Sequence, residues 1–283
     1  MKKWLLILAK CLVAILAIVI ALRHVNRDEL NHIRWNFSVI WILPAVLFFT
    51  ASQFVSAYRL LQYYSLLQEG MLYRYNLGLY YTGMFYNLFL PGGVGGDVYK
   101  VIILKKRGVA WVPAAKATLL DRVTGLLVLL AILVLLLNFV PPTLPVLLIR
   151  ILSLAIIPGF LLYWFIVKRY FPPFGVVINK AIIFSAGVQC LQLVAFFCLL
   201  HFLQLSPIAY LEYAILFFAG ALAAALPISI GGIGIRELAM TTGAIYLHVS
   251  PTIAISASLL FYLITALSAI AGWWINKASV DNH

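Results

Sequence analysis

"NLFLPGGVGGDVYKVIILKKRG", residues 87–108, is the stretch whose reading decides the fold. It places a proline, four closely spaced glycines, an aspartate and a lysine inside a chain that is otherwise almost continuous apolar sequence. A second break of the same kind, "LPISIGGIGIREL", occupies 226–238. Around them lies a chain of 283 residues, 65% hydrophobic and only 10% charged. A water-soluble domain of that composition would lack the polar residues to cover its surface. The expectation is therefore a single all-α polytopic membrane domain over 1–283.

The formal net charge of +12 would point to nucleic acid in a soluble protein. Here the Lys and Arg residues read as topology determinants that also meet anionic lipid headgroups, and no nucleic-acid partner is expected. Cys11, Cys190 and Cys198 lie in apolar runs without paired spacing, so buried free thiols are expected. The five histidines show no ligand spacing, and neither a metal nor a cofactor is expected. The start, "MKKWLLILAKCLVAILAIVIAL", has the basic and apolar parts of a signal peptide but runs into "RHVNRDE" without a small-residue cleavage site. It reads as a retained first span.

Segments long enough to cross about 30 Å of hydrocarbon are 4–22, 39–58, 113–137, 143–167, 181–204 and 252–275. Two further apolar segments, 75–104 and 208–248, are interrupted by the Pro/Gly breaks. Positive-inside counting sets the path. Lys100, Lys105, Lys106, Arg107 and Lys116 mark one cytoplasmic loop, and Lys168, Arg169 and Lys180 mark the next. With Lys2, Lys3 and Lys10 also inside, a full crossing at 75–90 would put the basic cluster outside. A re-entrant hairpin over 75–104, its tip at Pro91, Gly92, Gly93, Gly95 and Gly96, removes the conflict. A second hairpin over 208–248, with its tip at Pro227, Gly231, Gly232 and Gly234, enters from the other side. It leaves the last span to place Lys277 inside.

The halves then match in order: two spans, a hairpin, one span. "LP" recurs at 90–91 and 226–227, an offset of 136, and the same offset carries the third span close to the last. The expectation is an inverted-topology repeat of 1–137 and 143–275, a plan common among transporters. Eight ordinary spans with two glycine-kinked helices are the alternative.

Backbone that leaves helical geometry at membrane depth must be buried in protein or line a wet cavity. Glycine permits such a turn and the close approach of another backbone or a ligand. Half-helix ends there offer free N–H groups suited to an anion such as phosphate. The few charged residues close to the breaks complete a candidate substrate site: Asn87, Asp97, Lys100, Asp121, Arg122, Arg236 and Glu237. These charges could instead pair with one another and only hold the helices in register. Glu212, Arg59 and His201 read more simply as snorkelling or loop residues.

The motifs "N…LPGGVGGDVYK…LKKRG", "LLDRVTGL" and "PISIGGIGIRE", in this order, resemble the lysylphosphatidylglycerol synthase transmembrane-domain family, also called the flippase-like domain family. The likeness spans nearly the whole chain. It implies an integral membrane protein that moves lipids or lipid-linked intermediates between leaflets. Its motif positions fall on Asn87, Pro91, Gly92, Gly95, Gly96, Asp97, Lys100, Asp121, Arg122, Gly231, Gly232, Gly234, Arg236 and Glu237. At position 100 the family pattern admits arginine as readily as the lysine found here, and a lysine offers a point charge rather than a bidentate fork. Bifunctional members of the family carry a soluble aminoacyltransferase domain after the membrane part. This sequence ends at "NKASVDNH", so synthase activity is not expected.

The leading functional reading is a flippase or scramblase for an anionic phospholipid or a polyprenyl-phosphate-linked intermediate. An accessory membrane subunit of a lipid-modifying or envelope-glycan enzyme is the alternative. A membrane enzyme ranks well behind, since no catalytic residues, nucleophile motif or metal-ligand spacing stand out and each acid has a basic neighbour. A channel lacks a ring of like charges, and "GxxxxGK[ST]" for ATP hydrolysis is absent. Short loops and a basic start point to a prokaryotic cytoplasmic membrane with both termini inside.

Overall fold

A computed structural model describes residues 39–89, 94–140, 145–226 and 231–280. The expected first span 4–22, Cys11, and the tip residues Pro91, Gly92, Gly93 and Pro227 lie outside the described residues.

Among the described residues the chain is helical, with α1 Ile42–Tyr64, α2 Tyr73–Phe89, α3 Gly95–Lys106, α4 Trp111–Leu136, α5 Val146–Tyr170, α6 Ile178–Phe202, α7 Tyr210–Ala225, α8 Ile235–Tyr246 and α9 Pro251–Val280. Six helical stretches are long and apolar enough to cross a membrane: Val39–Tyr64, Trp111–Phe139, Val146–Tyr170, Ile178–Phe202, Pro207–Ala225 and Pro251–Trp274. The protein is a multi-pass, all-α membrane protein. Five of the six stretches match expected spans. The sixth, Pro207–Ala225, was expected as one arm of a broken segment, and at 19 residues it is long enough to cross by itself. The second arms α3 and α8 have 12 residues each. At 1.5 Å per residue that is about 18 Å, well short of the hydrocarbon thickness.

Local chemistry explains the boundaries. Pro251 opens α9, where a missing N–H costs nothing, and Ser250 Oγ accepts from the Ile253 N–H at 3.3 Å. α3 stops at "KKRG": Gly108 takes φ +89°, and the Gly108 and Val109 N–H groups turn back to the Lys105 and Leu104 carbonyls at 3.0 and 3.1 Å. Within each broken pair the two arms pack on one another, α2 on α3 and α7 on α8.

The central contact is α1 against α6. They run antiparallel, since Trp41 before α1 lies 4.2 Å from the ring of His201 near the end of α6, while Arg59 late in α1 reaches Ser185 early in α6. One buried cluster gathers Phe49, Phe196, Phe217, Phe218 and Phe261 from α1, α6, α7 and α9. A second gathers Leu60, Tyr63, Tyr64, Val101, Leu104 and Phe174 around α1, α3 and the turn before α6. α5 turns most of its surface outward, with Leu154 76% exposed, as a lipid-facing helix does. On α6, Cys198 is buried but Cys190 is exposed. The expectation of a buried thiol fails at Cys190, because an apolar run in a membrane helix has a lipid face as well as a core face.

Candidate functional site

The two breaks meet. Gly231, Gly232 and Gly234 all take positive φ (61°, 78° and 85°), a run of left-handed backbone that residues with a Cβ rarely adopt. A Cβ added at Gly231 would stand 3.2 Å from the Leu88 carbonyl oxygen at the end of α2. On the other side of the junction, a Cβ at Gly96 would run into the Gly83 carbonyl, so α2 and α3 cross backbone to backbone. Asn87 Oδ1 accepts the Gly96 N–H at 2.7 Å and so caps the start of α3. Glu237 does the same for α8, its Oε2 accepting the Gly234 N–H at 2.7 Å.

Three cations and two carboxylates cluster around this junction. Asp97 Oδ1 accepts from Lys100 Nζ at 2.9 Å, and Oδ2 accepts from Arg122 Nη1 at 3.0 Å. Arg122 Nη2 also donates to the Ala225 carbonyl at 3.2 Å. That carbonyl ends α7, where helix carbonyls lack intrahelical partners and carry partial negative charge. Lys100 is buried and sits over the Tyr80 ring at 5.3 Å. Arg236 Nη2 donates to Glu237 Oε1 at 3.1 Å and Arg236 Nε to Ser258 Oγ at 3.0 Å, while Ser258 Oγ donates to Glu237 Oε1 at 2.8 Å.

A cavity of about 320 Å³ opens beside Arg122, Arg236 and Ser258, lined also by Asn87, Gln53, Gln192 and Tyr262. Its aromatic floor includes Phe196, Phe217 and Phe261. The combination of an apolar body with a few convergent polar groups is that of a ligand site, and its size is within the usual range.

Of the seven residues expected at the site, six share the junction and one leaves it. Asp121 turns away to Arg59, whose Nε and Nη2 donate to its two oxygens at 2.7 and 3.1 Å, and Arg59 Nη1 donates to Ser185 at 2.8 Å. This ion pair ties α1, α4 and α6. The reading of Arg59 as a snorkelling residue is corrected: its side chain is 9% exposed. A carboxylate deep in an apolar span demands an opposite charge, and Arg59 is the one basic residue in the sequence from 39 to 73. That signal was available. The Ser258 hydroxyl and the Tyr63–Thr124–Tyr163 chain (2.9 and 2.7 Å) beside the ion pair were not foreseen, since nothing local distinguishes a bonded hydroxyl. Glu212 and His201 lie away from the junction. Glu212 starts α7, and His201 Nδ1 is 3.3 Å from the Tyr210 hydroxyl near the end of α6.

Neither a curated protein nor a solved structure matches the chain. The sequence pattern of the lysylphosphatidylglycerol synthase TM region does, over residues 7–176 and again over 174–272. These two stretches contain both broken helix pairs and every residue of the junction described above. The chain therefore belongs to the family of the lysylphosphatidylglycerol synthase TM region, membrane domains associated with lipid-related, flippase-like function.

Proposed function

We propose that the protein carries an anionic lipid, a phospholipid or a polyprenyl-phosphate-linked intermediate, between membrane leaflets, and that the cavity at the junction takes its headgroup. One observation carries this reading. The charged side chains that line the cavity, Arg122 and Arg236, are both cations among the described residues, and Lys100 stands beside them on Asp97. A cavity at membrane depth whose charged lining is cationic favours an anionic group.

The architecture of this reading is a single membrane domain with inverted repeats over 1–137 and 143–275, and each broken pair is a re-entrant hairpin. Element order supports it. Starts of α1 and α6 lie at Ile42 and Ile178, and those of α2 and α7 at Tyr73 and Tyr210, an almost constant separation. The neighbours also correspond, because α2 packs on α9 as α7 packs on α4. At the same offset Lys100 corresponds to Arg236, and Arg122 to Ser258. Both cations lie against a glycine of the facing arm, Gly83 and Gly220. In this reading both termini are cytoplasmic, the membrane is a prokaryotic cytoplasmic membrane, and no chemical step is catalysed.

A second reading, a non-transporting subunit of a lipid-modifying or envelope-glycan enzyme, draws on the Arg59–Asp121 pair, which is internally complete and ties α1, α4 and α6. Reconstitution separates the two. The purified chain in proteoliposomes should speed translocation of a labelled anionic or polyprenyl-phosphate lipid over empty vesicles, and Arg122→Gln should abolish this while the protein stays folded. No acceleration across the panel, with or without a pH gradient, would give the subunit reading the lead.

A further inference from the structure

A second cavity of about 370 Å³ lies against the first on the outer side of α3 and α4. Val94, Val98, Val101, Trp111 and Leu119 line it, and all but Val101 are substantially exposed, from 40% at Val94 to 55% at Leu119. Its inner end is polar: Asp97, Arg122 and the C-terminal residue of α7, Ala225. Arg122 is the one residue that lines both cavities among the described residues. Its guanidinium, held by Asp97 of α3 and the Ala225 carbonyl of α7, stands between them. Trp111 and Arg122 are three turns apart on α4, about 16 Å, so the groove reaches to roughly half the depth of the hydrocarbon.

We infer that this groove is the chain subsite of an anionic lipid and that the Asp97–Arg122 ion pair is its gate: the lipid phosphate displaces Asp97 from Arg122, and the headgroup passes into the inner cavity while the hydrocarbon chain stays in the groove. The inference rests on the transport reading above. Three features favour it. A phosphate matches the guanidinium fork with two acceptors and takes Arg122 bidentately. Asp97 keeps Lys100 at 2.9 Å when Arg122 leaves, so opening the gate strands no buried carboxylate. The apolar lining and outward opening suit a chain that remains in hydrocarbon, which a soluble phosphate does not need.

At the offset of 136 residues, Leu119, 55% exposed, corresponds to Ile255 at 2%, and Arg122 to Ser258 at 1%, so these two positions of the groove have buried counterparts beside the second broken pair.

The test places a photo-crosslinking amino acid at Leu119 in the groove, and at Leu154 on the lipid face of α5 as a control. Vesicles of dioleoyl phosphatidylcholine carry either dioleoyl phosphatidylglycerol or a polyprenyl phosphate as probe. One probe should be crosslinked at Leu119 about tenfold above its mole fraction, the ratio that one charge-assisted hydrogen bond supplies, and near its mole fraction at Leu154. Arg122→Gln should remove the enrichment, whereas Asp97→Asn should raise it. Asp97→Asn with Lys100→Met replaces the single variant if that one does not fold. Equal crosslinking at the two positions for both probes overturns the proposal, as does a loss of enrichment in both charge variants. Soluble glycerol phosphate at the concentration of the lipid probe should leave the enrichment in place; its abolition there would show that the site reads phosphate without a chain and would also overturn the proposal. Translocation measured in the same vesicles keeps the readings apart. Movement without enrichment rejects the gate alone, and enrichment without movement rejects transport alone.

Discussion

Asp121 and Arg122 are adjacent on α4, and the helix sends them to opposite tasks: Asp121 closes a bidentate pair with Arg59, while Arg122 bridges Asp97 and the Ala225 carbonyl beside the cavity. Successive residues on a helix do not share a face, so a neighbouring acid and base need not be partners. The first residue belongs to the scaffold and the second to the proposed site. Substitutions at the two positions should therefore fail in different ways.

Removing one partner of the scaffold pair, as in Arg59→Met, should lower stability by about 3–5 kcal/mol, because Asp121 is then buried without a counter-charge. Arg59→Met with Asp121→Leu should recover most of that loss. Thermal unfolding in detergent reads both. A double variant no more stable than the single would mean that the pair does more than neutralise itself.

Gly96→Ala should prevent α3 from seating on α2, since the new methyl meets the Gly83 carbonyl. Gly159→Ala on α5 meets nothing within 4 Å and should be neutral or stabilising by up to about 1 kcal/mol. The yield of monodisperse protein by size exclusion distinguishes them, and a well-folded Gly96→Ala would show that the crossing can relax.

Glu237 serves Gly234, Arg236 and Ser258 at once. Glu237→Ala should cost about 3 kcal/mol or more, and Glu237→Gln less, because an amide oxygen still accepts a hydrogen bond from one of these donors. Equal melting temperatures for the two variants would assign the effect to volume rather than to hydrogen bonding.

The proposed opposed hairpins make a topological prediction. In a background without native cysteines, Val94→Cys and Ile233→Cys should react with an impermeant maleimide added to opposite faces of the membrane. Labelling of both from one face would remove the inverted repeat.

Much of the fold was legible in the sequence, for a physical reason: in lipid each span must satisfy its own backbone and present about 20 apolar residues. Helices α1, α4, α5, α6 and α9 were visible for that reason, and Pro/Gly breaks separated the arms of the other two segments. The first arm of the second pair was harder to read, because apolar sequence runs on into the glycine break and hides that Pro207–Ala225 is long enough to stand alone. Arg59 was misread because hydropathy records that a charge sits in a span and not which way it points.

The sequence by itself determined the membrane class, five of the spans among the described residues, the two glycine breaks and the set of charges beside them. These are local properties, set by span length, backbone conformation and the rarity of charge in apolar runs. Only the tertiary structure decided which charge meets which: Asp97 is shared by Lys100 and Arg122, Asp121 goes to Arg59, and Arg236 stays with Glu237 and Ser258. An ion pair across 62 residues of chain depends on how helices rotate and cross. That is settled by packing over the whole molecule, through contacts such as Gly83 on Gly96 and the aromatic cluster of α1, α6, α7 and α9.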